Sequence, residues 1–175
     1  MSMYSSSIPV FVRHLGNLSG LLDSAASYAA EQDIDESVLS NARLFPNMHP
    51  LIKQVQIACD MVKRGGARLA EVEPPADEDD DDETTFAELK TRIECTQEFL
   101  QSLAKESINS SADRNIVMPA GPYELTFSGQ EYLDLWILPN MYFHISATYN
   151  ILRHNGVTIG KIDFLGLGSF LTKGP

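Results

Sequence analysis

Four stretches of the chain space their apolar residues with the helical period, and one stretch alternates. In the first, Phe11, Leu15, Leu18, Leu22, Ala25 and Ala29 recur at steps of four and three, one stripe of an amphipathic helix. It predicts a helix from about Ile8 to about Gln32, with Pro9 in the first turn, where a missing N–H costs nothing. The connection "DIDESVLSNARLFPNMHP" is predicted to hold one helical turn near Glu36–Asn41. The second stripe is Leu51, Val55, Ala58 and Val62, widened by Ile57 and Met61. Its helix is predicted from about Pro50 to about Val72, stopped by Pro74. Gly65 and Gly66 weaken that helix locally or admit another helix at close range. The third stripe is Phe86, Leu89, Ile93, Thr96, Leu100 and Leu103, opened by a Thr85/Glu88 capping box.

Then the period changes. "NIVMPAGPYELTFSG" alternates, with Ile116 and Met118 before the "PAGP" turn and Tyr123, Leu125 and Phe127 after it, which predicts a small β-hairpin. The fourth helix is predicted from about Gly129 to about Asn155, with Gly156 as its natural terminator. Pro139 lies inside it and is expected to kink it or cost a hydrogen bond. Residues 157–175 form a glycine-rich, irregular tail, in which Phe164 and Leu165 are expected to dock and "LTKGP" to fray. Four long helices and one hairpin predict a mainly all-α, single-domain protein spanning residues 1–175: a four-helix bundle with the hairpin between helices three and four.

The 175 residues, 43% of them hydrophobic, are enough for one sizeable core. Net charge is −11, so the surface repels phosphate backbones and nucleic acid is excluded as a partner. Much of that charge lies in "DEDDDDE", Asp77–Glu83, behind Pro74 and Pro75. Residues 74–84 read as a solvated acidic loop between two helices, expected to be exposed and mobile. The run lacks the glycine and the ligand spacing of a calcium loop. No apolar run reaches the roughly 20 residues that cross a bilayer, so no membrane association is expected. The N-terminus lacks the pattern of a secretory signal. Cys59 and Cys95 sit in separate helices and read as free buried thiols of a reducing, cytoplasmic compartment.

Candidate chemistry comes from polar residues placed among the apolar ones. On a wheel of about 100° per residue, Leu133, Ile137, Ala147 and Ile151 share one face of the fourth helix. Asn140 and His144 fall near the centre of that face, with Thr148 beside them. Burying such groups unpaired costs roughly 2 kcal/mol or more each, so something must answer them. In the second helix Gln54 lies inside the apolar arc, whereas Gln56 points the other way. Gln54, Asn140 and His144 are therefore expected to converge between helices two and four. Three roles are open to them: a hydrogen-bonded core cluster, a small-molecule pocket that includes Thr148, or a divalent-metal site centred on His144. His14 lies off its stripe, His49 stands near the start of helix two, and His154 sits at a helix C-terminus. Asp60 and Glu131 find no partner by spacing. No GxSxG, HExxH, P-loop or dinucleotide fingerprint is present, and "GLGSF" lacks the flanking strand and helix that a dinucleotide site needs.

The order of "FVRHLGNLSGLLDSAASYA", "PLIKQVQIACDMV", a hairpin and "YFHISATYNILRHNGVTIGKIDFLG" resembles the DinB-like, or YfiT-like, superfamily of four-helix bundles. Within it, the chain resembles a branch known only as a domain of unknown function. The likeness covers nearly the whole chain apart from the acidic loop and the last residues. It implies a divalent metal held by one histidine of helix two and an HxxxH pair of helix four, with thiol-transferase activity in some members. In this sequence the pair reads Asn140-x-x-x-His144, and Gln54 occupies the position matched to the helix-two histidine. What the residues and the resemblance together imply is a small-molecule-binding bundle with a degenerate metal triad and no resident cofactor. The alternatives are a divalent-metal enzyme of thiol-transferase type and a non-catalytic protein that homodimerises through a helix face.

Overall fold

The computed structural model describes residues 2–75 and 81–170. A short helix, α1 (Met3–Ser6), precedes α2 (Ile8–Glu31), with Pro9 in the first turn of α2. One helical turn, α3 (Glu36–Ser40), capped by Asp35, leads to α4 (Leu51–Ala70). Next come α5 (Phe86–Ser102), the short α6 (Lys105–Asn109) and an antiparallel hairpin of β1 (Asn115–Ala120) and β2 (Tyr123–Ser128). The chain closes with α7 (Gly129–Glu131), α8 (Leu138–His154) and α9 (Lys161–Leu165). The fold is mainly α, with a two-stranded hairpin between the third and fourth long helices. Among the described residues, no helix is long and apolar enough to cross a membrane.

The bundle is built from the four amphipathic stripes. α4 packs along both α5 and α8, and α2 packs along α5. Phe11, Leu15, Leu18 and Leu22 from α2 meet Val55, Ala58 and Val62 from α4, with Leu89 and Ile93 from α5, in one core. Gly65 and Gly66 are buried where α4 runs closest to its neighbours. A Cβ at Gly65 would stand 2.7 Å from the Ile137 side chain, and one at Gly66 2.7 Å from Leu100. The glycines are there because the helices approach too closely for a methyl group.

The third helix starts as its capping box predicts: Thr85 accepts from the Glu88 amide, and Glu88 accepts from the Thr85 amide. In the hairpin, Ile116 pairs with Phe127 and Met118 with Leu125, and Phe127 packs against Tyr132 and Trp136 of the next element. Tyr123, at the tip, is exposed.

The fourth helix differs from the sequence expectation in its first half. Residues Tyr132–Ile137 form a π-helical turn between α7 and α8. Pro139, in the first turn of α8, has no N–H to give to a carbonyl four residues back, and the wider turn accommodates that gap with helical backbone on both sides. The tail is more ordered than its glycines imply. Val157 and Ile159 are buried, and α9 packs on α2, where Asn17 donates to the Phe164 carbonyl and Arg13 to that of Leu165. "LTKGP" lies outside the described residues.

The acidic loop differs at its last acid, while Asp81 and Asp82 are exposed. Asp77–Asp80 lie outside the described residues, but Glu83 is 9% exposed and is not a solvated acid. Its carboxylate accepts from Arg92 at 2.8 Å and from Gln56 at 2.7 Å. Gln56, expected to point away from the core, is buried. Asp60, expected to stand alone, binds Arg92 at 2.7 Å and Arg64 at 3.6 Å. Asp81 reaches both Lys53 and Arg92. Arg92 is only 7% exposed. Burial works against its charge, but the hydrogen bonds to Glu83 and Asp60 outweigh burial and hold it protonated. The first residues of the α5 approach are thus clamped onto α4. Glu131 is not free either: it closes a capping box with Ser128 at the start of α7.

Candidate functional site

Pro50 is the N-cap of α4, and the carbonyl of His49 just before it lies outside the helical ladder. Gln54, in the first turn of α4, donates from Nε2 to that carbonyl at 3.1 Å. Gln54 is 1% exposed. Its amide nitrogen faces the carbonyl, so its oxygen faces the other way, and Oε1 lies 2.7 Å from His144 Nδ1 of α8. An amide oxygen only accepts, so Nδ1 carries the proton and Nε2 of the neutral ring keeps a lone pair. Burial, and after it the nearby His49, hold the His144 imidazole below its ordinary value near 6.5. Nε2 has no protein partner, yet it is not among the sealed, unpaired atoms, so it reaches the surface. The ring edge meets Phe143 in a T-shaped contact at 5.2 Å.

Two of the expected members are placed differently. Asn140 is half-buried, and its Nδ2 donates to the Trp136 carbonyl at 2.7 Å. It makes no hydrogen bond to Gln54 or His144. The reason is the buried face itself: Met141, Ile145 and Leu152 belong to it, which moves its centre away from Asn140. Thr148 is fully buried, but its hydroxyl donates to the His144 carbonyl one turn back. The juxtaposed pair is therefore Gln54–His144, extended by the main chain of His49.

A shallow cleft of about 360 Å³ lies between the α3–α4 connection and α8, and neither Gln54 nor His144 lines it. Met48, the residue before His49, lines it together with Phe143 and Ala147. Phe143 is 59% exposed there, and Leu44 and Tyr142 expose apolar surface beside it. On the other side of Tyr142, His14 meets its ring edge-on at 5.0 Å. His14 Nδ1 is the one sealed side-chain nitrogen or oxygen without a partner among the described residues.

Sequence reasoning missed the Arg92 cluster, although a signal was present. Arg92 falls at stripe spacing between Leu89 and Thr96, and a cation on an apolar stripe requires buried counter-charges. Of the two cysteines, Cys59 is buried, and burial pushes its thiol up to about 12 in spite of nearby Arg92 and Thr96. Cys95, expected to be buried, is exposed.

Comparison with known proteins agrees with this architecture. The family profile described as Domain of unknown function (DUF1993) matches residues 3–165. A solved structure described as a DinB family member protein from Shewanella denitrificans is similar at 38% sequence identity. The match covers 98% of this chain and 95% of that one, with a TM-score of 0.86. A search of curated proteins returns no match. The matched span takes in every long helix, the hairpin and the Gln54–His144 pair, and the chain belongs to the DUF1993 family, with a DinB-like bundle as its fold.

Proposed function

We propose that this protein binds a small molecule at the rim between α4 and α8, where the ligand donates a hydrogen bond to His144 Nε2. One observation carries this reading: the 2.7 Å contact between Gln54 Oε1 and His144 Nδ1. It commits one ring nitrogen to donating inward and leaves the other as an acceptor with no protein partner. Because that nitrogen reaches the surface, it is open to a donor from solution. The exposed Phe143 ring, in T-shaped contact with the imidazole, is the apolar surface for the body of a ligand whose hydroxyl, amine or amide meets Nε2.

The DinB resemblance also implies a divalent metal, and the residues do not fit it. Gln54 and Asn140 stand where imidazoles are expected, and carboxamides are poor ligands for zinc or nickel. Among the described residues, no three His, Cys, Asp or Glu side chains come together as ligands. Metal-dependent thiol transfer therefore has no donor set here, and no step is assigned to it.

The test is a thermal-shift screen of primary alcohols, amines and amides against the wild-type protein, His144→Phe and Asn140→Ala. Compounds that stabilise wild type and Asn140→Ala but not His144→Phe are the expected result. Stabilisation that survives in His144→Phe, an absence of any stabilising compound, or one equivalent of metal bound through His144 would contradict the reading.

A further inference from the structure

At the far end of α4, about 20 Å from Gln54 at roughly 1.5 Å per residue, two clefts share the side chains of Arg68, Val72 and Glu73. One has a volume of about 440 Å³ and the other about 390 Å³. Three arginines of described position are not fully exposed: Arg68, Arg92 and Arg114. Arg92 meets Asp60, Asp81 and Glu83, and Arg114 meets Glu71 at 3.2 Å. Among the described residues, Arg68 meets no carboxylate. Its hydrogen bond runs from Nη1 to the hydroxyl of Tyr132 at 2.9 Å, which leaves Nη2 and Nε, a parallel pair of donors, without a partner. In a chain of net charge −11, a half-buried guanidinium left uncompensated calls for a counter-ion.

The site is held rigidly. Tyr132 is fully buried and opens the π-helical turn, a form of backbone often found at functional positions. Its hydroxyl fixes the guanidinium where the two clefts meet. The wall beside it is apolar: Val72 and Val117 are about half exposed there, although both are aliphatic. Arg64, which lines one cleft, is paired with Asp60, and Arg114, which lines the other, is paired with Glu71, while Glu73 lines both. A single open guanidinium fork matches one carboxylate, and suits a monoanion better than a phosphate dianion.

We infer that Arg68 binds the carboxylate of a small monocarboxylic acid, with its planar fork on the two oxygens and the aliphatic body of the acid against Val72 and Val117. This site is separate from the His144 rim, so the failure of one proposal leaves the other standing.

The test is a titration of 15N-labelled protein with hexanoate, with 1-hexanol and inorganic phosphate as comparisons. Hexanoate is expected to move the Arg68 Nε–Hε signal and the amides of Val72 and Val117 saturably, and to leave the Gln54 amide unmoved. Hexanol is expected to move none of them, and phosphate to bind more weakly than hexanoate. Arg68→Lys keeps the charge and the stem but loses the fork, and is expected to bind hexanoate about tenfold more weakly. No saturable shift at Arg68, affinity unchanged in Arg68→Lys, or phosphate binding tighter than hexanoate would overturn the inference.

Discussion

The smallest unit of the account is one amide against one imidazole. Gln54 and His144 are both buried, so each satisfies a group that would otherwise be stranded. Gln54→Leu removes the acceptor for Nδ1–H and the donor to the His49 carbonyl, and is expected to cost about 1–3 kcal/mol in urea unfolding. His144→Phe strands Oε1 and is expected to cost a similar amount, whereas the double variant loses both partners together and should be closer to wild type than the sum of the singles. Additive losses would show that the two side chains do not depend on each other. The cysteines give a second residue-scale outcome. Cys95 is exposed, while the Cys59 thiol is buried and pushed up to about 12. A thiol reagent at neutral pH is expected to modify one cysteine in the native protein and both in denaturant. Fast native modification of Cys59 would contradict its placement.

At the scale of elements, the four helices, the hairpin and the Thr85/Glu88 cap were legible because period, capping and turn chemistry are local properties of the sequence. What was not legible depended on the partners of single polar side chains. Gln54 was found because a polar residue inside an apolar arc needs an answer, and His144 supplied it. Asn140 lies off the contact because Met141 and Ile145 shift the buried face away from it, and the π-helical turn changes the register upstream. The acidic run misled more. Its composition reads as a solvated loop, yet its last residue, Glu83, is drawn into the α4–α5 interface by Arg92 and Gln56. Arg92→Met would leave Glu83 and Asp60 without their shared cation and is expected to cost about 3–5 kcal/mol. Glu83→Gln leaves Arg92 its two other carboxylates and is expected to cost less, about 1–3 kcal/mol. Equilibrium unfolding measures both, and losses within about 0.5 kcal/mol would mean that the segment is only surface.

At the scale of the molecule, the DinB-like bundle buries an imidazole, His144, against an amide, Gln54. Burial of imidazoles sets the pH response. Burial holds His144 and His14 below their ordinary value near 6.5, so the unfolded chain takes up those protons first. Stability is therefore full above about pH 7 and falls as pH drops through the unfolded value. Glu88 acts lower down: amide hydrogen bonds from Thr84 and Thr85 hold its carboxyl near about 2, so its contribution is present above its ordinary 4.5 and is lost as pH falls towards 2. Unfolding midpoints between pH 8 and pH 5 should decline in the wild type and decline less in His144→Phe, and equal slopes would contradict the assignment. The reading of the protein as a ligand-binding bundle rests on one proton, and that proton can be observed directly. In a long-range 1H–15N spectrum of the imidazoles at neutral pH, His144 is expected to show a protonated Nδ1 and a bare Nε2. A protonated Nε2 would mean that Gln54 does not set the tautomer, and the outward-facing acceptor on which the proposed function depends would not exist.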